Sequence, residues 1–341
     1  MAALASKNVV PTLLIGGVGM LLRVYFSLSP LLICVLGLLA ACVWSGNRRD
    51  LGGAEQVTPV YTPGVAAGLQ WGVAAVQGRR PYMEDMHQVQ SFDAKPLGMS
   101  HWFAVFDGHG GKRAAAWAHS HLAGNLLGEI AAQATPSKQQ QQQQQAASSA
   151  LDAAVVASFQ RTDADFLKYA AARGIPDGST AVTCMIQQGK PPRSERRLLV
   201  ANLGDSRCVM VRTDGSALAL SSDHKPNRPD ERARVQAAGG QVIYVGCWRV
   251  QGDLAVSRAF GDAHLKKYGV SATPELSAFA IGPRDAFLVL ASDGLWDVVD
   301  EQQCASSVPR ASDALGAARA LAELASVRGS MDNITVLVVA L

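Results

Sequence analysis

Acidic residues that follow apolar segments are the strongest chemical feature of the sequence. Asp107 ends the segment FAVF and Asp293 follows FLVLAS, and each is followed by glycine and by helix-forming residues. Glu84 and Asp85 lie in RRPYMED, and Asp332 precedes the apolar run ITVLVV. A carboxylate at the end of a buried strand is costly unless positive charge meets it, and no matching cluster of Lys or Arg accompanies these acids. Because all the donors are oxygen atoms, they favour hard cations such as Mg²⁺ or Mn²⁺ over Zn²⁺.

The pair Asp-Gly is also a common turn signal. Asp214-Gly215 lies between CVMVR and SALAL, so we predict an ordinary hairpin turn there with no chemical role. The acids that follow apolar runs have a different interpretation, because two cations about 3.5 to 4 Å apart could clamp a phosphate and activate a bridging water. The residues alone therefore predict a two-metal site, with a structural turn as the alternative at each Asp-Gly.

Strand-forming segments alternate with alanine-rich helical segments from residue 69 onward. The apolar spacing predicts a helix over 111–130, and PDERARVQAAGG predicts another that opens at Pro229 and closes at Gly239. Strands are predicted at 198–202, 208–212, 286–290 and 334–339. Because hairpin turns recur and no repeated βαβ unit is present, we expect an α+β fold with largely antiparallel strands.

Composition excludes several classes of protein. The chain has 341 residues, 48% hydrophobic and 17% charged, which is enough for a large buried core. A formal net charge of +3 gives no nucleic-acid footprint, so we expect no nucleic-acid partner. The six cysteines form no CxxC pair and no spacing typical of a disulfide framework or a zinc site, which favours a reducing compartment for the folded part.

Three segments are expected to lie outside the packed core. Residues 24–44 run for 21 residues without a charge, long enough for a helix to cross a bilayer. We interpret residues 1–50 as an N-terminal hydrophobic membrane anchor, with a cleaved targeting segment as the alternative, and residues 51–68 as a linker. Seven consecutive glutamines lie within 135–150, which we predict to be a disordered surface insertion.

Eight blocks of sequence carry a family resemblance. They are GRRPYMED, FAVFDGHGG, DGSTAV, VANLGDSRCV, DHKPNRPDERARVQAAGG, WRVQGDLAVSRAFGD, LASDGLWDVV and DNITVLVV. In these blocks the chain resembles the type-2C protein serine/threonine phosphatases, the metal-dependent PPM family, in the family's order and over about residues 69–341. The block WRVQG and the N-terminal hydrophobic segment make it most similar to the membrane-anchored, epsilon-type members.

The resemblance implies a fold, a reaction and a setting. The expected fold is a four-layer α-β-β-α sandwich with two central antiparallel sheets and the metals at one end. The expected reaction is metal-dependent hydrolysis of phosphoserine and phosphothreonine in proteins, with two Mg²⁺ or Mn²⁺ ions and a weaker third. The expected partners are phosphoprotein substrates and a membrane, with a monomeric catalytic domain, residues 69–341, facing the cytosol.

The resemblance also implies metal ligands. Four carboxylates would hold the two main ions, namely those of Asp85, Asp107, Asp293 and Asp332. The carbonyl of Gly108 would be a further ligand. Asp205 and Asp297 match acids associated with the third ion.

Three further residues would act on substrate and water. Arg80 matches the arginine that receives the substrate phosphate, a task that suits a planar bidentate donor. His109 would be the general acid that protonates the leaving serine or threonine oxygen. Glu84 would hold metal-bound water.

Two rival functions compete with this interpretation. CASSVPR, residues 304–310, has the Cys-x5-Arg spacing of a thiolate phosphate loop, but Gln303 replaces the usual histidine and DEQQCASSV predicts the start of a helix. The other rival is a catalytically inactive scaffold that binds phosphoproteins, which the intact acids at every expected metal position disfavour. Asp253 departs from the family pattern, which more often has a small or apolar residue there.

Overall fold

The structure is a computed structural model that describes residues 58–66, 68–94, 99–133, 144–187, 196–308 and 313–341. The chain divides into two units, and all of these residues belong to the second, Glu55–Leu341. The expected anchor and residues 51–57 and 67 of the expected linker lie outside the described residues. The prediction of an irregular linker is wrong for residues 60–66, which form a strand that pairs with Leu69–Val76. Within the described part of the chain, no helix is both long and apolar enough to span a bilayer.

Two antiparallel sheets form the centre of this unit. Across the first sheet the strands are, in order, β1 (Val60–Ala66), β2 (Leu69–Val76), β16 (Ile334–Ala340), β15 (Asp285–Ala291), β9 (Arg207–Arg212) and β10 (Ala217–Ala219). Across the second sheet they are β14 (Glu275–Ala280), β8 (Arg197–Leu203), β7 (Ala181–Gln187), β4 (Met99–Phe106) and β3 (Met86–Ala94). Neighbouring strands pair antiparallel in both sheets.

Helices and smaller strand groups complete the unit. The helices are α1 (Arg113–Gln133), α2 (Gln144–Ala171), α3 (Pro229–Ala237), α4 (Ala263–Lys266), α5 (Asp293–Trp296), α6 (Glu301–Ser307) and α7 (Ala314–Val327). A short three-stranded sheet joins β13 (Phe260–Gly261), β6 (Gly178–Ser179) and β5 (Gly108–His109), and β11 (Val242–Val245) pairs with β12 (Cys247–Val250) in a hairpin.

Three apolar clusters hold the layers together. One lies between the second sheet and the helices α1 and α2, where Phe106 packs in one cluster with Leu122 and Phe159. Another joins the first sheet to α6 and α7, and the third lies between the two sheets. The predicted four-layer α-β-β-α sandwich is therefore confirmed.

Strand β4 explains why FAVF shows no alternation of polar and apolar residues. Successive strand residues point to opposite faces of a sheet. Trp102, Ala104 and Phe106 pack in the cluster beneath the helices, whereas Phe103 and Val105 pack between the sheets. Burial on both faces therefore accounts for the continuous apolar run FAVF.

The predicted elements are present, with some shifts at their ends. The helix expected over 111–130 spans Arg113–Gln133, and the helix expected to open at Pro229 does so, with Gly239 following its end. In the glutamine-rich segment, residues 144–150 form the first turns of α2 instead of an irregular insertion, which suits their alanine-rich sequence, and residues 134–143 lie outside the described residues.

Candidate active site

The acids predicted to act together lie at one edge of the sandwich. Asp107 directly follows β4, Asp205 lies between β8 and β9, and Asp293 opens α5 two residues after β15 ends. Asp85 directly precedes β3, and Asp332 lies shortly before β16. Because neighbouring strands are antiparallel, the end of one and the start of the next meet at the same edge.

Three of these carboxylates converge. Asp107, Asp205 and Asp293 each offer an oxygen atom, and these atoms lie within 4.8 Å of one another. Asp85 is buried beside them, and its Oδ2 accepts a hydrogen bond of 2.8 Å from the Ser292 hydroxyl. Its Oδ1 is buried with no hydrogen-bond partner among the described residues, which leaves an acceptor for a ligand.

The acids raise one another's pKa values. Burial is the largest cause of the raised pKa of Asp107 and of Asp293, and neighbouring carboxylates add to it. Burial, together with the charge of Asp332, raises the pKa of Asp85 to about 7. The acids that act on Asp107 are Asp293, Asp85, Asp205 and Asp332, and those that act on Asp293 are Asp205, Asp297 and Asp332.

This donor set fits hard divalent cations. Three converging carboxylates, of which Asp205 is buried and Asp107 and Asp293 are half-buried, an unpartnered buried oxygen and raised pKa values all indicate negative charge that protein cations balance only in part. Oxygen donors suit Mg²⁺ and Mn²⁺. Asp297, at the C-terminal end of α5, is a more peripheral member, and burial raises its pKa while Lys225 opposes the rise.

Glycines beside two of the acids allow their backbones to pack closely. A Cβ on Gly108 would lie 2.5 Å from the Glu84 carbonyl oxygen, and one on Gly294 would lie 1.9 Å from the Asn333 carbonyl oxygen. Neither glycine has a left-handed φ, in contrast to Gly215 of the hairpin turn, whose φ is +80°. These two Asp-Gly pairs are thus close contacts between segments, whereas Asp214-Gly215 is the predicted turn between β9 and β10.

His109 pairs with a buried aspartate that sequence reasoning did not identify. Its Nε2 lies 2.8 Å from Oδ2 of Asp262. Strand β6 pairs with both β5 and β13, which brings the two residues together across 153 positions of sequence. Burial would lower the pKa of His109, but the hydrogen bond and charge of Asp262 outweigh it and raise the pKa overall.

Arg80 and Glu84 lie on the loop that leads into β3. The exposed guanidinium of Arg80 donates a hydrogen bond from Nη2 to Oδ2 of Asp332. The amide of Glu84 donates to Oδ1 of Asn333 at 2.8 Å, and Nδ2 of Asn333 donates to the carbonyl of Tyr82 at 2.9 Å. Burial raises the pKa of Glu84, and Arg80 opposes that rise. Asn333 therefore fastens this loop to the start of β16.

Comparison with known proteins identifies the family of the chain. A family model described as Protein phosphatase 2C matches residues 69–334. The chain belongs to the protein phosphatase 2C family. The family assignment covers all the site residues described above, from Arg80 to Asp332.

Relatives and solved structures of phosphatase 2C proteins agree with this assignment. The chain is 42% identical over 273 residues to "Probable protein phosphatase 2C 7" of Oryza sativa subsp. japonica, covering 80% of this chain and 65% of the relative. It is 42% identical over 271 residues to "Probable protein phosphatase 2C member 13, mitochondrial" of the same organism, covering 80% of this chain and 68% of the relative. A crystal structure of serine-threonine phosphatase 2C from Toxoplasma gondii superposes with a TM-score of 0.71 at 26% identity, covering 83% of this chain and 99% of that one.

Cys304 of this phosphatase 2C chain lies in an environment that disfavours a thiolate. It is buried in α6, whose N-terminus is closed by a capping box between Asp300 and Gln303. Burial raises the pKa of its thiol to about 12. The helix start predicted from DEQQCASSV is confirmed. The thiolate phosphate loop is wrong because Cys304 is buried inside a helix, whereas a reactive cysteine is accessible and has a lowered pKa.

Several residues that support the site were missed in the sequence. Asp262 and Asp177 both lie in blocks that carry the family resemblance, yet their partners lie far away in sequence. Asp177 is buried and accepts two hydrogen bonds from the Arg113 side chain, of 2.9 and 2.6 Å, and one of 2.9 Å from the Arg113 amide at the start of α1. The signal available was an aspartate beside a glycine at a strand end, which does not identify the residue it contacts.

Proposed function

We propose that this chain hydrolyses phosphoserine and phosphothreonine residues of proteins with the help of bound divalent cations. The observation that carries the proposal is the convergence of Asp107, Asp205 and Asp293 at the sheet edge that also holds His109 and Arg80. Membership of the phosphatase 2C family supports the same reaction. Bound Mg²⁺ or Mn²⁺ would supply Lewis-acid polarisation of the phosphate and a water of lowered pKa.

The side chains would divide the work as follows. Arg80 would receive the phosphate oxygens, since its guanidinium is exposed and already bonds an anionic group, the Asp332 carboxylate. His109 would give a proton to the leaving oxygen of the serine or threonine, with Asp262 fixing the orientation of its ring. Glu84 would accept a hydrogen bond from water in the site.

The remaining acids would complete the cation sites. The main ligands would be Asp85, Asp107, Asp293 and Asp332, with the Gly108 carbonyl, and Asp205 and Asp297 would hold a third ion. This assignment is supported by the charge interactions that connect these carboxylates.

The reaction is tested on the 341-residue chain with a phosphothreonine peptide. We expect turnover with Mn²⁺ and none with excess chelator. Asp107→Asn should lower the rate by about 10³-fold or more, because it removes a charged ligand from the centre of the cluster. Cys304→Ser should leave the rate unchanged.

Two outcomes would contradict this proposal. Full activity in excess chelator would remove the role of the cations. A folded wild-type chain that binds Mn²⁺ and the phosphopeptide without turnover would favour the inactive scaffold instead.

We further propose that residues 1–50 anchor the protein in a membrane through the uncharged segment 24–44, as in epsilon-type members. The part of the expected linker 51–68 that precedes β1 would connect this anchor to a monomeric catalytic domain in the cytosol, to which β1 belongs together with residues 69–341. Protease added to intact vesicles should then digest the catalytic domain. Protection of that domain would contradict the orientation, and extraction of the protein by alkaline carbonate would contradict the anchor.

A further inference from the structure

A lysine occupies one end of the acid cluster. The Lys225 ammonium donates a hydrogen bond to Oδ2 of Asp205. A lysine that bonds a carboxylate and is partly exposed to water carries a full positive charge at neutral pH. The contact was not expected from the sequence, where Lys225 lies 20 positions beyond Asp205.

Asp205 cannot serve the lysine and a divalent cation equally. Its side chain is only 5% exposed, so few other groups can reach it. One of its oxygens is within 4.8 Å of oxygens from Asp107 and Asp293, where a shared cation would sit. Two cations that approach the same carboxylate repel each other, and this repulsion is strong where water is largely excluded.

An open cavity next to Lys225 gives the ammonium space to move away from Asp205. The Lys225 side chain is 38% exposed and lines an open cavity of about 520 Å³, together with Arg207, Asp223 and Glu301. Asp223 is a second carboxylate in this cavity. It accepts hydrogen bonds of 2.6 and 2.9 Å from the Arg207 side chain, and the charge of Lys225 also acts on it. Rotation of the long side chain can therefore move its charge from Asp205 toward Asp223.

We propose that Lys225 is an internal counter-cation of Asp205, which must move aside before a divalent cation binds at the Asp205 end of the cluster. Lys225 makes the cation position at Asp205 the weakest one in the cluster. It thereby sets the concentration of divalent cation at which that position fills. This inference rests on the proposed function, since it concerns the same cation cluster.

The test measures Mn²⁺ binding directly on the 341-residue chain, by titration with the paramagnetic resonance signal of free Mn²⁺ as the readout. Lys225→Met should tighten the weakest Mn²⁺ site by about tenfold or more, because a positive charge is removed from a few ångströms away. Lys225→Arg keeps the charge and should leave the affinity nearly unchanged.

Lys266→Met is the matched control. Lys266 forms an ion pair of 2.8 Å with the buried Asp163, which is not among the three converging carboxylates. Lys266→Met removes the same charge from a similar buried ion pair, so the Mn²⁺ affinity should not change. Any effect that comes only from losing such an ion pair should appear in this variant as well.

A second variant keeps the inference testable if Lys225→Met folds poorly. Asp223→Asn removes the alternative partner of the ammonium and should weaken the same Mn²⁺ site. In the Lys225→Gln background this weakening of Mn²⁺ binding should largely disappear. An effect of the lost Asp223 charge itself, or of the Arg207 guanidinium that Asp223 binds in the wild type, would persist in that background.

The outcomes separate the two proposals. If Lys225→Met binds Mn²⁺ as the wild type does, or more weakly, the inference is overturned and the lysine organises Asp205 instead, while the proposed function stands. If neither the wild type nor any variant binds Mn²⁺, both proposals are overturned.

Discussion

At the scale of single residues, the pair of His109 and Asp262 is the best-defined part of the site. Asp262 has a φ of +48°, in the left-handed region that few residues other than glycine adopt, although aspartate and asparagine tolerate it. Its side chain is only 5% exposed and its oxygen reaches Nε2 of His109. The ring orientation is therefore set by a buried acid, and Nδ1 is the ring nitrogen that Asp262 does not engage.

His109→Ala should slow hydrolysis of a phosphothreonine peptide by about 100-fold or more, but hydrolysis of an aryl phosphate by much less. The reason is that a phenolate can leave without a proton, whereas the serine or threonine oxygen must be protonated as it leaves. Steady-state rates on both substrates provide the measurement. Equal losses on the two substrates would remove the general-acid role.

Asp262→Asn should also lower the rate on the phosphothreonine peptide more than the rate on the aryl phosphate, but by a smaller factor than His109→Ala. The smaller effect is expected because asparagine retains the shape of the side chain and tolerates the left-handed backbone. Combined with His109→Ala it should have little further effect, since its action passes through that ring. Additive losses in the double variant would instead indicate that Asp262 acts on the fold alone.

At the scale of elements, a buried ion network joins α3 to the segment that precedes β13. Glu231 of α3 is only 1% exposed, and its carboxylate accepts hydrogen bonds from Arg258, Arg234 and Ser257. Burial would raise the pKa of Glu231, but these partners outweigh it and hold the pKa well below its usual range. The ionised form is therefore the one that stabilises the native state.

Glu231→Gln should lower the free energy of unfolding by about 3 to 5 kcal/mol at pH 7, since two arginines lose their buried partner. Because the native pKa is depressed, the stabilisation is present above about pH 4.5 and is lost as pH falls further. Urea unfolding at pH 7 and at pH 3.5 measures the difference between variant and wild type, which should shrink at the lower pH. A difference that is constant with pH would exclude the ionic origin.

Element-scale features also explain what the sequence could and could not predict. The strands, α1 and α3 follow from apolar runs and from Pro229 and Gly239, because those signals are local. The roles of Asp262 and Lys225 were missed because a hydrogen bond across many positions leaves no local pattern. The flanking residues distinguished the Asp214-Gly215 turn from the pairs Asp107-Gly108 and Asp293-Gly294. They did not predict the close contacts at Gly108 and Gly294, which depend on what packs against each glycine.

At the scale of the whole molecule, the carboxylates at one edge of the sandwich repel one another, and this repulsion destabilises the fold. Strands from both sheets deliver acids to one place, and the apolar clusters between the layers keep those strands from separating. A bound cation relieves this repulsion in the native state, where the acids converge, far more than in the unfolded chain. Cation binding and global stability are therefore linked.

Asp107→Asn should show this linkage through two opposite effects on the melting temperature. In excess chelator the variant should melt roughly 2 °C or more above the wild type, because burial and four neighbouring acids oppose the charge that it removes. Saturating Mn²⁺ should raise the melting temperature of the wild type and raise that of the variant much less, because the variant has lost a charged ligand. Asp214→Asn, in the exposed hairpin turn, is the matched control and should follow the wild type in both conditions. Differential scanning calorimetry at pH 8 measures the melting temperatures in chelator and in Mn²⁺. If the metal-free Asp107→Asn chain melts below the metal-free wild type, repulsion among these carboxylates does not limit the stability of the fold.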